Sequence, residues 1–176
     1  MPKCYMMIGI PGSGKSTYIQ EVLKKETNLI SISTDEYIEK IAKQNSSTYS
    51  AVYDASIKEA NSWFNQTLKH LMSNSVDFIW DQTNINIKSR KFKLNQLIKH
   101  NYEIHAIAFD IQKDIIFDRL KTRENQTGKS IPESVIFSMI NSYQPPSLEE
   151  GFQSVTIVDP FGITLSTGKK QSSLKI

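Results

Sequence analysis

The sequence has one cysteine, three arginines and no long apolar run among its 176 residues. The single Cys4 excludes a disulfide within the chain and a zinc site built from a cysteine cluster, and its apolar neighbours predict a buried side chain. No stretch approaches the roughly 18 apolar residues of a membrane-spanning helix. The N-terminus also lacks the layout of a secretory signal. We therefore expect a cytoplasmic protein without a membrane segment.

Length and composition predict one ordinary globular domain. With 39% hydrophobic and 22% charged residues, the chain has none of the biases of disordered or fibrous proteins. It contains no internal repeat or linker, so we predict one domain over residues 1–165, followed by a loosely held polar tail over residues 166–176. The net charge of +3 permits a polyanionic partner without requiring one.

Basic residues are concentrated in one part of the chain, residues 86–101. This part contains no acidic residue and five basic ones: Lys88, Arg90, Lys91, Lys93 and Lys99. Such a run is typical either of the solvated face of a helix or of a patch that contacts phosphates. The sequence leaves both interpretations open.

Short apolar runs alternate with helical patterns along the chain. Five runs predict strands buried on both faces of a parallel sheet, at residues 4–8, 29–33, 76–80, 104–109 and 155–158. Helical patterns lie between these runs, the clearest over 55–72, where apolar residues recur at steps of three and four. Further helices are predicted from Lys15, over 87–100, over 113–121, and from Pro132, a residue that suits a first helical turn. This alternation predicts an α/β fold with a five-stranded parallel sheet and helices on both faces.

A glycine-rich loop separates the first strand from the first helix. Residues 9–16 read Gly-Ile-Pro-Gly-Ser-Gly-Lys-Ser, the spacing of a P-loop, whose backbone N–H groups surround triphosphate oxygens. Lys15 is placed to reach the β- and γ-phosphates, and the Ser16 hydroxyl to bind Mg²⁺. We therefore predict that ATP and Mg²⁺ bind here, with the nucleotide held by Gly9, Pro11, Gly12, Ser13, Gly14, Lys15, Ser16 and Thr17.

Four aspartates follow predicted strands, at Asp35, Asp81, Asp110 and Asp159. In parallel sheets, ligands bind beyond the carboxyl ends of the strands, where carboxylates can orient metal waters or accept a proton. Asp35 follows the second strand, where the acceptor of a P-loop kinase approaches, so we predict a general base; the alternative is a cap for a helix over 36–42. For Asp110 and Asp159 we favour a role in turns or caps.

Two of the three arginines, Arg119 and Arg123, are four residues apart near the end of a predicted helix, which places them on one face. They precede residues 124–132, a polar, glycine-containing stretch typical of a mobile lid. Arginines on a closing lid neutralise charge on a transferred phosphoryl group, and we predict that both are catalytic. The alternative is a surface pair balanced by neighbouring acids.

Four segments, in the same order, resemble the kinase domain of the polynucleotide kinase/phosphatase family. They are the glycine-rich run Gly-Ile-Pro-Gly-Ser-Gly-Lys-Ser-Thr, Ser-Thr-Asp-Glu-Tyr around Asp35, Trp-Asp-Gln-Thr-Asn-Ile-Asn around Asp81, and Arg-Leu-Lys-Thr-Arg from Arg119 to Arg123. The resemblance covers residues 3–145. The P-loop belongs to many families, and the Asp-x-Thr-Asn element also occurs in small-molecule kinases.

The resemblance implies that Lys15 and Ser16 bind ATP and Mg²⁺, and that Asp81 also binds the Mg²⁺. It further implies that Asp35 activates a polynucleotide 5′-hydroxyl. It also implies that Arg123 contacts the γ-phosphate from the lid with support from Arg119. The acceptor side would be lined by Asp81, Thr83 and Asn84, with Arg90 matching an arginine of the family. Ile38 stands where the family has an arginine that holds a substrate phosphate.

Three functions follow from these expectations. The leading one is an ATP- and Mg²⁺-dependent polynucleotide 5′-hydroxyl kinase, whose partner is a DNA or RNA with a 5′-hydroxyl end. A second is a kinase of a small-molecule or nucleoside hydroxyl, favoured by Ile38 and the modest net charge. A third is a nucleotide-binding regulatory ATPase, which transfers nothing to an acceptor. Such a protein would not need Asp35 to accept a proton from an acceptor hydroxyl.

Overall fold

The structure is a computed structural model that describes residues 1–110 and 112–170. Its strands are β1 (Lys3–Ile8), β2 (Ile30–Ile32), β3 (Phe78–Trp80), β4 (Glu103–Phe109), β5 (Ser154–Val158) and β6 (Thr164–Lys169). Its α-helices are α1 (Lys15–Lys25), α2 (Thr34–Gln44), α3 (Tyr49–Ser73), α4 (Ile87–Lys99), α5 (Lys113–Thr127) and α6 (Glu133–Ser142), and a 3₁₀ turn covers Leu148–Glu150.

All six strands form one sheet in the order β2-β3-β1-β4-β5-β6. The first five are parallel, as predicted, and Met6 of β1 lies opposite Trp80 of β3 and Ala106 of β4. The glycine-rich loop follows β1, so it leaves the sheet between the carboxyl ends of β3 and β4. This arrangement places the loop at the point where ligands bind in open parallel sheets.

Strand β6 corrects two predictions. The sheet has six strands rather than five, and residues 166–169 are not a loose tail because they pair antiparallel with β5. The Asp159 carboxylate accepts hydrogen bonds from the N–H groups of Phe161 and Ile163, which fixes the turn that brings β6 back along β5. Asp159 is thus the turn residue that the sequence favoured. Residues 171–176 of the predicted tail lie outside the described residues.

Helices cover both faces of the sheet, as predicted. One face packs against α3 and α4, whose inner apolar residues recur at steps of three and four; this core contains Met6, Phe64, Leu68, Leu71, Phe78, Trp80, Leu94 and Leu97. The opposite face is covered by α1, with Ile19 against Met7 and Ile79. Among the described residues, no helix is both long and apolar enough to cross a membrane.

Two smaller clusters hold the remaining helices near the carboxyl edge of the sheet. Ile116 of α5 and Ile136 of α6 pack with Ile10 of the glycine-rich loop. Ile38 of α2 packs with Tyr49 and with Ala60 of α3. As a result, α5 and α6 pack against the loop, and α2 packs against α3.

Candidate active site

The glycine-rich loop has a backbone that only glycine fits at two positions. Gly12 and Gly14 have φ values of +83° and +107°, in the left-handed region. A Cβ on Gly14 would lie 2.8 Å from the Pro160 carbonyl oxygen. Among the described residues, the buried Ser13 hydroxyl has no hydrogen-bond partner. A tight loop with an unsatisfied polar atom fits a ligand rich in oxygen atoms, such as a triphosphate.

Lys15 begins α1 and folds back over the loop. Its Nζ donates hydrogen bonds to the carbonyl oxygens of Gly9 (2.8 Å) and Ile10 (3.0 Å). Burial lowers the pKa of Lys15, and the charges of Asp81 and Asp35 oppose that shift. The ammonium group is therefore electrostatically coupled to both aspartates as well as bonded to the loop.

Asp35 lies in the first turn of α2, and its carboxylate contacts two side chains. One oxygen accepts a hydrogen bond from the Tyr49 hydroxyl at 2.8 Å, and the other from Lys129 Nζ at 2.8 Å. Loss of solvent alone would raise the pKa of Asp35, but the charge of Lys129 and these two hydrogen bonds hold it below its ordinary value. The carboxylate is ionised at neutral pH, which is the state a proton acceptor needs.

The alternative that Asp35 caps a helix is wrong. The helix begins at Thr34, and its N-cap residue is Ser33 rather than Asp35. Because the Asp35 carboxylate bonds to side chains from α3 and from the segment after α5, it belongs to a site shared by three parts of the chain.

Asp81 follows β3 and faces the same region. Burial raises the pKa of Asp81, the charge of Lys15 opposes that shift, and the charge of Asp35 adds to it. Asp81 and the exposed Ser16 hydroxyl are oxygen donors of the kind that Mg²⁺ prefers. The described residues contain no group of three or more metal-ligating side chains. These two donors therefore fit an ion that also binds phosphate oxygens, as Mg²⁺ does with nucleotides.

Arg123 of α5 also faces the aspartates. Its Nε and Nη2 atoms are buried, and within the described residues they have no hydrogen-bond partner. Burial lowers the pKa of Arg123, while the charges of Asp35 and Glu39 raise it. A guanidinium with free donors beside an ionised carboxylate fits a phosphoryl group, which accepts paired hydrogen bonds from arginine.

Arg119 has different surroundings from Arg123. Its Nη1 donates to the Gly12 carbonyl at 3.4 Å, and its Cζ lies 5.5 Å from the centre of the Phe161 ring. It borders a cavity of about 420 Å³ that Gly14, Thr17 and Phe161 also line. These contacts place Arg119 beside the loop and the cavity, and its catalytic role in support of Arg123 stays a prediction.

Thr83 and Asn84 shape the loop that carries Asp81. The Thr83 carbonyl accepts the Gly9 N–H at 2.9 Å. Asn84 has a φ of +48° and a buried side chain, which donates to the Met7 carbonyl at 2.8 Å and accepts from Lys93. Contrary to the prediction for Asn84, its side chain ties the end of β1 to the loop after β3 and does not face an acceptor.

Arg90 was predicted to bind substrate, and the structure contradicts this. Its fully buried guanidinium bonds to both carboxylate oxygens of Glu150 at 2.7 Å and to the Gln144 carbonyl at 2.9 Å. Arg90 lies on the inner face of α4, so its N–H groups donate to partners inside the protein and are not available to a substrate. The basic run therefore divides, with Lys88, Lys91 and Lys99 on the exposed face.

Sequence reasoning missed Tyr49, Glu39 and Lys129. Glu39 is four residues after Asp35, a spacing that signals a shared helix face. Lys129 lies in the predicted lid, but nothing in the sequence indicates that it pairs with a carboxylate 94 residues earlier. The lid itself is shorter than predicted because α5 continues to Thr127.

The comparisons with known proteins agree with this fold. A family model described as an AAA domain matches residues 5–146, from β1 to just beyond α6. The chain belongs to this AAA domain family. The match confirms the predicted P-loop kinase-type α/β fold and the associated nucleotide-binding loop.

Solved structures share the fold at low sequence identity. A chain of the PezAT toxin-antitoxin system of Streptococcus pneumoniae is 16% identical with a TM-score of 0.74, and the match covers 98% of this chain and 73% of that one. A chain of the Pnkp1/Rnl/Hen1 RNA repair complex is 24% identical with a TM-score of 0.65 (98% and 50% covered). A fungal RNA kinase is 17% identical with a TM-score of 0.55 (99% and 80% covered). This chain thus spans half the length of the RNA repair protein.

Proposed function

We propose that this protein transfers the γ-phosphate of ATP to the 5′-hydroxyl of a polynucleotide, with Mg²⁺ as cofactor. One observation carries the proposal: the ionised Asp35 and Arg123, whose Nε and Nη2 have no partner in the part of the chain that the structure describes, lie together beside Lys15 of the glycine-rich loop. A proton acceptor, a free guanidinium and a phosphate-binding loop are the parts that phosphoryl transfer to a hydroxyl requires.

In the reaction, Asp35 accepts the proton of the acceptor hydroxyl. The hydroxyl oxygen forms a bond to the γ-phosphorus while the bond from that phosphorus to the β,γ-bridging oxygen breaks, and ADP leaves. Lys15 and Arg123 stabilise the negative charge on the transferred group. Ser16 and Asp81 would hold Mg²⁺, which would supply positive charge to neutralise the phosphates.

Binding of the donor uses the loop and the cavity beside it. The triphosphate contacts residues of the loop: Gly9, Pro11, Gly12, Ser13, Gly14, Lys15, Ser16 and Thr17. The nucleobase occupies the cavity that Thr17, Arg119 and Phe161 line. The Phe161 ring and the Arg119 guanidinium both offer flat surfaces on which a base stacks.

The outer face of α4 supports a polynucleotide acceptor. Lys88, Lys91 and Lys99 are exposed on this helix, which contains no acidic residue, and the Phe92 side chain beside them is 75% exposed. Positive charges attract phosphates, and an exposed ring stacks on a base. The helix begins just beyond the loop that carries Asp81. The names of two structural neighbours, an RNA kinase and an RNA repair complex, also favour this acceptor.

A second candidate is a kinase of a small, hydroxyl-rich acceptor. Ile38 is buried between α2 and α3, so it contacts no substrate. The exposed Glu36 and Glu39 flank Asp35 and give this entrance negative charge, which disfavours phosphates close to the reacting hydroxyl. The entrance suits a neutral acceptor or a neutral 5′-terminal nucleoside.

The test is transfer of labelled γ-phosphate from ATP to 5′-hydroxyl DNA and RNA oligonucleotides, and to a free nucleoside. The Asp35→Asn variant should lose transfer and still bind ATP, whereas the exposed-site control Asp54→Asn should keep it. Phosphorylation of the nucleoside alone, insensitive to salt, would support the small acceptor. ATP hydrolysis without any phosphorylated acceptor would contradict both and indicate a regulatory ATPase.

A further inference from the structure

The chain between α5 and α6 is docked on the start of α3. Ser50 Oγ donates to the Gly128 carbonyl at 2.8 Å and accepts from the Ser130 N–H at 3.2 Å. Gly128 has a φ of +67°, and a Cβ there would lie 2.8 Å from the Thr48 side chain. Both neighbours of Lys129 are therefore held against α3, and the close approach at residue 128 requires glycine.

Lys129 points from this docked segment into the site. Its Nζ lies 2.8 Å from Asp35, 3.0 Å from Glu39 and 4.0 Å from the centre of the Tyr49 ring. The Lys129 side chain is only 5% exposed, whereas those of Asp35 and Glu39 are 56% and 51% exposed. The ammonium group thus lies on the protein side of the two carboxylates and leaves their outer sides open to an acceptor.

We propose that Lys129 is a positioning residue, which orients the Asp35 carboxylate for proton transfer and makes this orientation depend on docking of residues 128–130. The proposal rests on the function proposed for Asp35. Arg123 lies in the last turns of α5, the helix that directly precedes this segment. Docking therefore sets the proton acceptor and the phosphoryl-binding guanidinium in place together.

Loss of an ammonium group 2.8 Å away raises the pKa of Asp35 whether or not Lys129 orients the carboxylate. A role in orientation predicts a further effect. Lys129→Arg, which returns the charge in a different geometry, should recover the position of the acidic limb more fully than the rate at the plateau of the profile. The decisive readout is therefore the difference between these two recoveries, which a charge effect alone does not produce.

The charges around Asp35 determine whether its pKa rises or falls when Lys129 is lost. The groups that face it come from every neighbouring element: Lys15, Glu36, Glu39, Tyr49, Asp81, Arg123 and Lys129. Lys129 is the cation that bonds to the Asp35 carboxylate. Without it, the negative charges of the neighbouring acids repel the ionised form of Asp35 with less opposing positive charge. The pKa of Asp35 should then rise toward or above its ordinary value. A carboxylate accepts a proton only while it is ionised, at pH values above its pKa. When the pH is lowered, the variant should therefore lose activity at a higher pH than the wild type.

The experiment measures kcat/KM against pH for Lys129→Met, with the exposed Lys121→Met on α5 as the matched control. We expect the acidic limb to move to higher pH in Lys129→Met alone, and Lys129→Arg to restore part of the shift by returning the charge. An acidic limb that stays in place would overturn the proposal. If Lys129→Met does not fold, Gly128→Ala displaces the segment and keeps every charge, and the same direction of shift is expected.

A carbon-13 NMR titration of the Asp35 carboxyl separates this proposal from the proposed function, because it needs no acceptor. A raised pKa in Lys129→Met without transfer to any hydroxyl would support the coupling and defeat the kinase function. An unchanged pKa would overturn the coupling even if transfer is observed. A raised pKa with an unmoved acidic limb would show that Asp35 is not the base, which also overturns the proposal.

Discussion

The donor side and the acceptor side of the site are built in different ways. The loop of the donor side is a continuous stretch, residues 9–17, with two left-handed glycines, and the cavity beside it adds Arg119 and Phe161. The acceptor side joins α2, α3, the loop after β3 and the segment after α5, and depends on charged side chains far apart in the chain. A local motif tolerates changes elsewhere, whereas an assembled site depends on every element that holds it.

The largest effect should come from Arg90, which lies beneath the acceptor side. Arg90→Leu leaves the Glu150 carboxylate buried without its partner, and the free energy of unfolding should fall by about 3–5 kcal/mol. Urea denaturation measures this, with the exposed Lys91→Leu as control. Unchanged stability with a raised KM for the acceptor would instead restore the substrate-binding role that the sequence suggested.

Arg123 tests whether the acceptor side acts on the transition state. Arg123→Ala should lower kcat by on the order of a hundredfold or more, because a guanidinium that acts on the transferred group is lost. Steady-state kinetics should show little change in KM for ATP, and Lys121→Ala on the same helix should behave as the wild type. An effect on KM alone would assign Arg123 to binding rather than catalysis.

Gly14 tests the donor side in isolation. Gly14→Ala forces a left-handed backbone on a residue with a Cβ, at a cost of about 1–2 kcal/mol, and pushes against Pro160. Calorimetry should show weaker ATP binding by roughly tenfold. The pKa of Asp35 should change less than in Lys129→Met, since Lys129 acts on this carboxyl more strongly than Lys15 of the loop does. Gly168→Ala is the control, because its nearest neighbour atom lies 3.8 Å away.

The smallest effect concerns the outer face of α4. The double variant Lys88→Ala, Lys91→Ala should weaken binding of a long oligonucleotide and reduce the slope of log affinity against log salt by about 1.4. Binding of a nucleoside should not change. The double variant Lys24→Ala, Lys25→Ala on α1 serves as the charge-matched control. An equal effect in this control would contradict the proposal that α4 contacts the polynucleotide.

The parts predicted from sequence are those whose signal is local. The five parallel strands lie within two residues of the apolar runs, because strands buried on both faces have few polar residues. Strand β6 was missed because all of its residues are exposed and it shows no apolar pattern. The glycine-rich loop was identified from its spacing alone.

The parts that sequence reasoning missed depend on partners distant along the chain. A basic run does not reveal that Arg90 bonds to Glu150, 60 residues later. The spacing of Asp81 and Asn84 does not reveal that one faces the site and the other is buried in backbone contacts. Lys129 gives no sign of its role until the fold brings α5 next to α2. Side-chain direction and pairing are tertiary properties, so residue type alone does not determine them.

The turn between β5 and β6 has a consequence for the proposed choice of nucleotide. Its residues 160–162 form one wall of the cavity beside the loop, and they lie beyond residues 5–146, to which the family model matches. In the proposed binding mode this wall contacts the nucleobase, whereas Lys15, Asp35 and Arg123 contact the reacting groups. Substitutions in the turn should therefore alter the preference for one nucleoside triphosphate over another and leave the reacting groups in place.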